Sequence, residues 1–245
     1  MIDARMDTYN NFHIQAKVQK RVIDSKNFTY RNVICVLDRY LKKGNQVLDI
    51  GCGVGTLDFY MARKGINVVG LDISKFAISV AKQSSILLKL DEETEFYVSD
   101  FPKRKIKDKF DLIVASETLE HIPNDINCLK TMGDFLKNNG LILISVPLAT
   151  APLYRLGLLK SFDKEVGHLR RYNEETIVGL IQKSGFRVVY KEKFEGIVRN
   201  TLFTNKNCGF LIRFIRGYVS DLVNYFDHLS ISIFGASQLI LIAKK

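Results

Sequence analysis

The stretch QVLDIGCGVGT, residues 46–56, decides the fold of this chain. Its first five residues form a short apolar run that predicts a buried strand, and the glycine-rich turn leads into a helical pattern over 57–64. A strand, a glycine-rich loop and a helix together begin a parallel α/β unit. Ligands bind at the carboxyl end of such a strand, because glycine lets the backbone approach them closely.

The same alternation continues toward the C-terminus and predicts a seven-stranded α/β sheet. Further strands are expected at 67–72, 94–99, 110–116, 141–146, 186–194 and 239–243, and helices at 75–90, 124–136 and 174–184. Ahead of the first strand, residues 1–43 are expected to form an N-terminal helical segment, with two helices over 7–43.

We expect one domain over residues 1–245, with two variable insertions at 147–172 and 197–234 that form a lid or an acceptor site. The second insertion carries the basic and amphipathic stretch FLIRFIR, residues 210–216, which favours a lid or peripheral contact with an anionic membrane. The net charge of +10 makes an anionic partner plausible: a phosphorylated metabolite, a membrane surface or nucleic acid.

Other bulk features favour a cytoplasmic protein. The four cysteines are scattered without a C-x-x-C pair, which argues against a structural zinc site or a disulfide framework. The N-terminus lacks the pattern of a secretory signal. The longest nearly apolar run, 229–243, is shorter than the roughly 20 residues of a membrane-spanning helix.

The glycine loop and two acids predict a nucleoside ligand. Asp72 ends the second strand at the offset from Gly51 where an acid accepts hydrogen bonds from a ribose. The nicotinamide fingerprint G-x-G-x-x-G is not met, because Thr56 stands where the third glycine belongs. The carboxylate of Asp49 would repel an anionic pyrophosphate but would attract the cationic group of an amino-acid ligand. We therefore expect S-adenosylmethionine.

Four motifs in order, VLDIGCGVG at 47–55, LDIS at 71–74, SDFP at 99–102 and FDLIVASETLEHIP at 110–123, resemble the class I S-adenosylmethionine-dependent methyltransferases over about residues 30–194. The resemblance implies a Rossmann-like sheet, mostly parallel with an antiparallel last strand and with helices on both faces. It also implies cofactor contacts. The methionine moiety would contact Asp49, Gly51, Cys52 and Gly53, the ribose Asp72, and the adenine Asp100 and Phe101; Ile73 is also expected to bind cofactor, and Ser116 and Glu117 to line the methyl-transfer face.

His121 is the expected general base, since it follows the fourth strand and an imidazole titrates near working pH. Glu117 joins it as a candidate catalytic residue. The pattern E-x-x-E-H over Glu117, Glu120 and His121, with His168 as a fourth ligand, resembles the metal motif of small-RNA 3′-terminal 2′-O-methyltransferases and of quinone-biosynthesis O-methyltransferases. Such ligands accept Mg²⁺, Mn²⁺ or Zn²⁺. Alternatively, Glu120 is a loop-stabilising acid without metal.

The expected reaction is O-methylation of a small-molecule, lipid-like or phosphorylated acceptor. Arg170 and Arg171 are expected to grip an anionic group of the acceptor, and Tyr172 to cover the pocket or to staple the following helix. Three alternatives stay open: a metal-assisted RNA 2′-O-methyltransferase, an NAD-dependent oxidoreductase, and a non-catalytic cofactor-binding subunit.

Overall fold

The structure is a computed structural model that describes residues 16–101, 108–205, 208, 212, 215 and 217–245. Seven strands form one sheet in the order β3-β2-β1-β4-β5-β7-β6, and β7 runs antiparallel to both of its neighbours while the other pairs are parallel. This confirms the predicted sheet. The strands are β1 Gln46–Ile50, β2 Asn67–Asp72, β3 Thr94–Val98, β4 Phe110–Ser116, β5 Leu136–Pro147, β6 Arg187–Phe194 and β7 Gln238–Lys244.

Helices connect the strands and fill both insertions. They are α1 Arg31–Tyr40, α2 Thr56–Ala62, α3 Lys75–Leu88, α4 Asp125–Phe135, α5 Pro152–Arg155, α6 Lys160–Val166, α7 Glu174–Lys183, α8 Ile197–Thr204 and α9 Tyr218–Phe234, with a 3₁₀ turn at Leu119–His121. Of the two leading helices expected over 7–43, the described residues 16–43 contain α1 alone, and residues 1–15 lie outside them. Of the amphipathic stretch 210–216, all but Ile212 and Ile215 likewise lie outside.

Period-two alternation along the strands sends apolar side chains into a separate core on each face of the sheet. On one face, Leu48 of β1 packs in a cluster with residues of α4 and α7. On the other, Val47 packs with residues of α1 and α2. Helices therefore cover both faces, as expected for a mostly parallel sheet.

The order in which the chain adds strands to the sheet reverses between β1 and β4. These two strands are neighbours, although β2 and β3 lie between them in sequence. The connections from these two strands diverge, so a crevice opens at their carboxyl ends, where ligands of α/β proteins bind. Asp49 and Ile50 end one wall of the crevice, and Ser116 ends the other. Within the described ranges, no helix is long and apolar enough to cross a membrane.

Candidate active site

The crevice opens into a cavity of about 500 Å³ that most of the predicted site residues line. Its cofactor end is formed by the loops after β1, β2 and β3, and its other end by β4, β5 and both insertions. The lining includes all of the predicted cofactor residues: Asp49, Gly51, Cys52, Gly53, Asp72, Ile73, Asp100, Phe101 and Ser116. Their roles toward the cofactor stay predictions.

The glycine-rich loop is packed so tightly that only glycine fits at Gly51. Its φ is +79°, and a Cβ there would lie 2.4 Å from Thr118 Oγ1. The Thr118 hydroxyl donates a hydrogen bond of 2.9 Å to the carbonyl of Ile50, which joins the loops after β1 and β4. Further along the loop, the Gly53 amide donates to Asp72 Oδ2 at 2.9 Å, and the Ser74 amide donates to Oδ1 at 2.7 Å. The carboxylate of Asp72, the predicted ribose ligand, is therefore fixed by backbone donors.

A second carboxyl group, Asp58, lies beside Asp49 beneath the loop. Both are buried, and neither oxygen of Asp58 has a hydrogen-bond partner among the residues the structure describes. Burial raises the pKa of Asp49 to about 7, and it raises the pKa of Asp58 well above its usual value, with the charge of Asp49 adding to the rise. A cationic ligand group next to this pair would offset the cost of ionising it. Sequence reasoning missed Asp58, because it stands in a helical stretch that carried no site signal.

At the far side of the cofactor end, Asp100 and Phe101 follow β3. Phe101 is nearly buried and packs edge-on against Phe135, with ring centroids 5.9 Å apart. It belongs to the core and lines the cavity at once. Residues 102–107, which follow it, include Pro102 of the predicted SDFP motif and lie outside the described residues.

Glu117 faces the cavity at the end of β4 with a strained backbone, at φ +51°. Its carboxylate accepts hydrogen bonds from Ser145 Oγ at 3.0 Å and from Gln238 Nε2 at 2.8 Å. Burial raises its pKa, which these two donors oppose. The structure thus holds Glu117 against β5 and β7, and it is not part of the cluster that Glu120 forms with two histidines.

Glu120, His121 and His168 form that cluster, with one ligand atom of each within 4.8 Å of the others. Glu120 Oε1 lies 3.9 Å from His121 Nε2 and 3.8 Å from His168 Nε2. Nδ1 of His121 lies 3.1 Å from the carbonyl oxygen of Gly167, and Nδ1 of His168 lies 2.9 Å from Asp163 Oδ1. If these oxygens accept, each Nδ1 carries the ring hydrogen and each Nε2 presents a lone pair toward Glu120.

The Glu120 carboxyl group is fully buried, and in the described part of the chain neither oxygen has a hydrogen-bond partner. Burial raises its pKa well above the usual value, and the charge of Glu117 adds to this. Burial also lowers the pKa of His168, which favours the neutral ring. In that tautomer, the two Nε2 lone pairs and the buried carboxyl group lie close together without a donor from the described residues between them. A proton or a cation bound there would stabilise the cluster.

The structure separates the three predicted acceptor residues. Arg171 lines the cavity and is held by Asp163, to which its Nε and Nη2 donate at 2.9 and 2.6 Å, while its guanidinium stacks over Tyr154. By contrast, Arg170 Nη1 and the Tyr172 hydroxyl both donate to Asp125 Oδ2, at 2.7 and 2.9 Å. Neither of these two is among the lining residues.

Several lining residues carried no signal in the sequence. Tyr30 precedes α1, and Glu195, Asn200 and Phe203 come from the end of β6 and from α8. They lie outside the motifs, and only the packing of the N-terminal segment, the end of β6 and the second insertion around the sheet brings them to the cavity. Asp163 is similar, because it acts through contacts with His168 and Arg171 rather than through a motif.

Comparisons with known proteins identify the family of the chain. A family model described as a methyltransferase domain matches residues 18–191. The chain is 32% identical over 192 residues to phosphoethanolamine N-methyltransferase 1 of Zea mays, which covers 75% of this chain and 38% of that protein. It is 38% identical over 117 residues to the ubiquinone biosynthesis O-methyltransferase of Glaesserella parasuis serovar 5, which covers 46% and 50%. The matches thus span at most about half the length of these two relatives.

Solved structures share the fold at low identity. An S-adenosylmethionine-dependent methyltransferase from Mesorhizobium loti has a TM-score of 0.63 and 17% identity, covering 86% of this chain and 96% of that one. Phosphoethanolamine N-methyltransferase 2 of Haemonchus contortus, in complex with S-adenosyl-L-methionine, has a TM-score of 0.64 and 18% identity, covering 97% and 60%. At these identities the likeness establishes the fold alone.

Proposed function

Since the chain belongs to the methyltransferase-domain family, we propose that it is a class I S-adenosylmethionine-dependent methyltransferase and that it transfers the sulfonium methyl group to an oxygen of a small acceptor, phosphorylated or lipid-like. Family membership sets aside the NAD-dependent oxidoreductase. The observation that carries the proposal is the cluster of Glu120, His121 and His168 near Glu117.

Transfer to oxygen requires more than alignment. A sulfonium methyl is already activated, so the enzyme aligns the acceptor and weakens the bond to the hydroxyl proton. His121 lines the cavity, and its Nε2 is the nitrogen that can accept a proton when Nδ1 donates to the Gly167 carbonyl. His121 therefore acts as the base in our proposal, while Ser116 and Glu117 flank the path of the methyl group.

We further propose that Glu120, His121 and His168 hold a divalent cation, Mg²⁺, Mn²⁺ or Zn²⁺. The residues fit such a group, because Glu120 has buried oxygens without hydrogen-bond partners among the described residues and both imidazoles are fixed through Nδ1. When bound, the cation would lower the pKa of an acceptor hydroxyl, and it would do so in place of the His121 base, because both roles use the Nε2 lone pair of His121. Glu117, which we expected as one of the four ligands, is already engaged by Ser145 and Gln238 and is left out of this set.

Two features support a small acceptor. The cavity of about 500 Å³ is within the range of small-molecule sites, and the relatives are named for phosphoethanolamine and ubiquinone biosynthesis. Arg171 lines the cavity with its guanidinium, and no described residue accepts a hydrogen bond from its Nη1. We propose that Nη1 contacts an anionic group of the acceptor. A metal-assisted reaction on RNA would use the same cluster and is the second outcome of the screen below.

An acceptor screen with isotope-labelled S-adenosylmethionine tests the proposal. Small phosphorylated compounds, quinol-like phenols and short RNA are offered separately, and mass spectrometry with NMR identifies the methylated atom. The proposal expects a new C–O bond on a small molecule. A product methylated only on nitrogen or carbon would refute transfer to oxygen. Methylated RNA alone would favour the alternative acceptor, and no methylated product from any compound would favour a non-catalytic subunit.

The cation has its own test, read by binding as well as by activity. Chelator-treated protein is titrated with Mn²⁺ by calorimetry and assayed before and after Mg²⁺, Mn²⁺ or Zn²⁺ is restored. We expect binding that is lost in Glu120→Gln and kept in His228→Ala, a control that removes an exposed imidazole from α9. Full activity in the chelator, or binding unaffected by Glu120→Gln, would refute the metal site.

We also propose a cytoplasmic location with peripheral membrane contact. The free cysteines Cys35, Cys52, Cys128 and Cys208 support a reducing compartment. Helix α9 exposes aromatic and aliphatic side chains along its length, among them Tyr218, Tyr225 and Phe226, which supports contact with a lipid surface. Co-sedimentation with anionic vesicles tests this contact, and recovery of all protein in the supernatant would refute it.

A further inference from the structure

We infer that Glu195 and Asn200, at the acceptor end of the cavity, bind a positively charged amino group of the acceptor. The inference rests on the proposed use of this cavity for a small acceptor, and it adds a chemical requirement that transfer to oxygen does not by itself impose.

Glu195 is held at the cavity wall by a strained backbone. It follows β6 at φ +61°, in the left-handed region that residues other than glycine rarely adopt, and it is 8% exposed. Its carbonyl accepts a hydrogen bond of 2.7 Å from the Ser237 amide. At the next residue, Gly196, a Cβ would lie 2.1 Å from Ser230 Oγ. The hydrogen bond and the close packing fix the backbone here, so the Glu195 carboxyl group stays buried at the cavity wall.

The polar atoms of this pair are only partly satisfied. Asn200 Nδ2 donates to Glu195 Oε1 at 3.1 Å, but Asn200 Oδ1 is buried with no hydrogen-bond partner within the described ranges, although the residue is 3% exposed. Both residues line the cavity. A buried amide oxygen without a partner costs about 1–3 kcal/mol, and a ligand that donates to it would recover this cost.

The neighbouring cation, Arg199, does not neutralise Glu195. Its guanidinium lies against the rings of Phe28 and Phe203, at 4.7 and 5.3 Å from their centroids, and its Nη1 donates to Asn224 Oδ1 at 3.3 Å. Among the residues described, no Lys, Arg or His nitrogen comes within the 4.0 Å of an ion pair with Glu195. Burial accordingly raises the pKa of Glu195 to about 7, against the opposing charge of Arg199.

An ammonium group would supply both the hydrogen-bond donor that Asn200 Oδ1 lacks among the described residues and the positive charge that Glu195 lacks. It carries three N–H donors, enough for a carboxylate and an amide oxygen at once, and it supplies the charge that the buried carboxylate lacks. A hydroxyl group has one donor and no charge, and an anion would be repelled by Glu195. The structure therefore assigns selectivity for an amino group to this end of the cavity.

The test measures binding, without methyl transfer. Protein saturated with S-adenosylhomocysteine is titrated with phosphoethanolamine and, separately, with n-propyl phosphate, in which a methyl group replaces the ammonium at similar size. We expect the amine to bind about 10-fold to 100-fold more tightly to the wild type, the range for a charge-assisted hydrogen bond. Glu195→Gln should remove this preference. Glu192→Gln, which neutralises an exposed carboxylate on the same strand, should keep it.

The wild-type comparison remains decisive if Glu195→Gln fails to fold, which thermal unfolding would reveal. Equal binding of the two probes, no binding of either, or a preference that survives in folded Glu195→Gln would overturn the inference. Failure of transfer to oxygen is a separate result. If the nitrogen of the bound amine proved to be the methylated atom in the labelled-cofactor assay, transfer to oxygen would be refuted, but the amino-group site would be supported.

Discussion

Cofactor binding should weaken below neutral pH, because the carboxylate expected to meet the cationic amino acid of S-adenosylmethionine is protonated there. Burial raises the pKa of Asp49 to about 7. The cation binds the ionised form, so each pH unit below the pKa should raise Kd about tenfold. At pH 5.5 about 3% of Asp49 is ionised, which predicts a Kd roughly thirtyfold weaker than at pH 8.

Calorimetric titration from pH 5.5 to 8, in two buffers of different ionisation enthalpy, measures both Kd and the protons released on binding. At pH 6 we expect nearly one proton to be released. Asp49→Asn should bind weakly at every pH and abolish the slope. Glu195→Gln is the matched control, since it removes another buried cavity carboxyl group with a pKa of about 7, at the end of β6, which lies four strands from β1 in the sheet. A Kd that is constant across this range, or a slope unchanged in Asp49→Asn, would refute the reasoning.

Three further predictions concern the loop, the base and a residue outside the lining. Gly51→Ala should weaken cofactor binding at least tenfold and lower the free energy of unfolding by about 1–3 kcal/mol, because the added Cβ would lie 2.4 Å from Thr118 Oγ1 and φ is positive. An unchanged cofactor Kd by calorimetry and an unchanged free energy of unfolding in denaturant would contradict this. His121→Ala should lower methyl transfer by about 10²–10⁴ with nearly unchanged cofactor affinity, and unchanged turnover would remove it from the mechanism. Tyr172→Phe should cost about 1 kcal/mol of unfolding free energy through its lost bond to Asp125, with acceptor KM unaffected; a tenfold rise in KM without loss of stability would instead assign it to the acceptor.

Most of the sheet was predictable because its signals are local. The strand and helix boundaries follow from apolar runs and caps, and the ends of β2 and β4 were predicted to the residue. Strand β5 differs, since it begins at Leu136 rather than at 141. Leu136 pairs with Phe110 ahead of an irregularity in the register, and such pairing depends on the neighbouring strand rather than on the local pattern.

The positions of the predicted cofactor residues were also predictable, because each lies at the end of a strand or in the loop after it, and the carboxyl ends of these strands meet at one edge of a parallel sheet. The sequence alone therefore determined the fold class, the expected cofactor and the set of loops that gather around it. It also picked out Glu120, His121 and His168, although it grouped them with Glu117.

Only the tertiary structure decided how these groups are used. Packing against β5 and β7 engages Glu117 with Ser145 and Gln238, while Asp163 in the first insertion fixes His168 and Arg171. The end of β6 brings Glu195 to the cavity, and the second insertion brings Asn200. These relations join residues distant along the chain, and no local pattern records them. Their geometry follows from how the insertions fold over the sheet, because long-range packing sets which polar atoms are paired and which are left for a ligand.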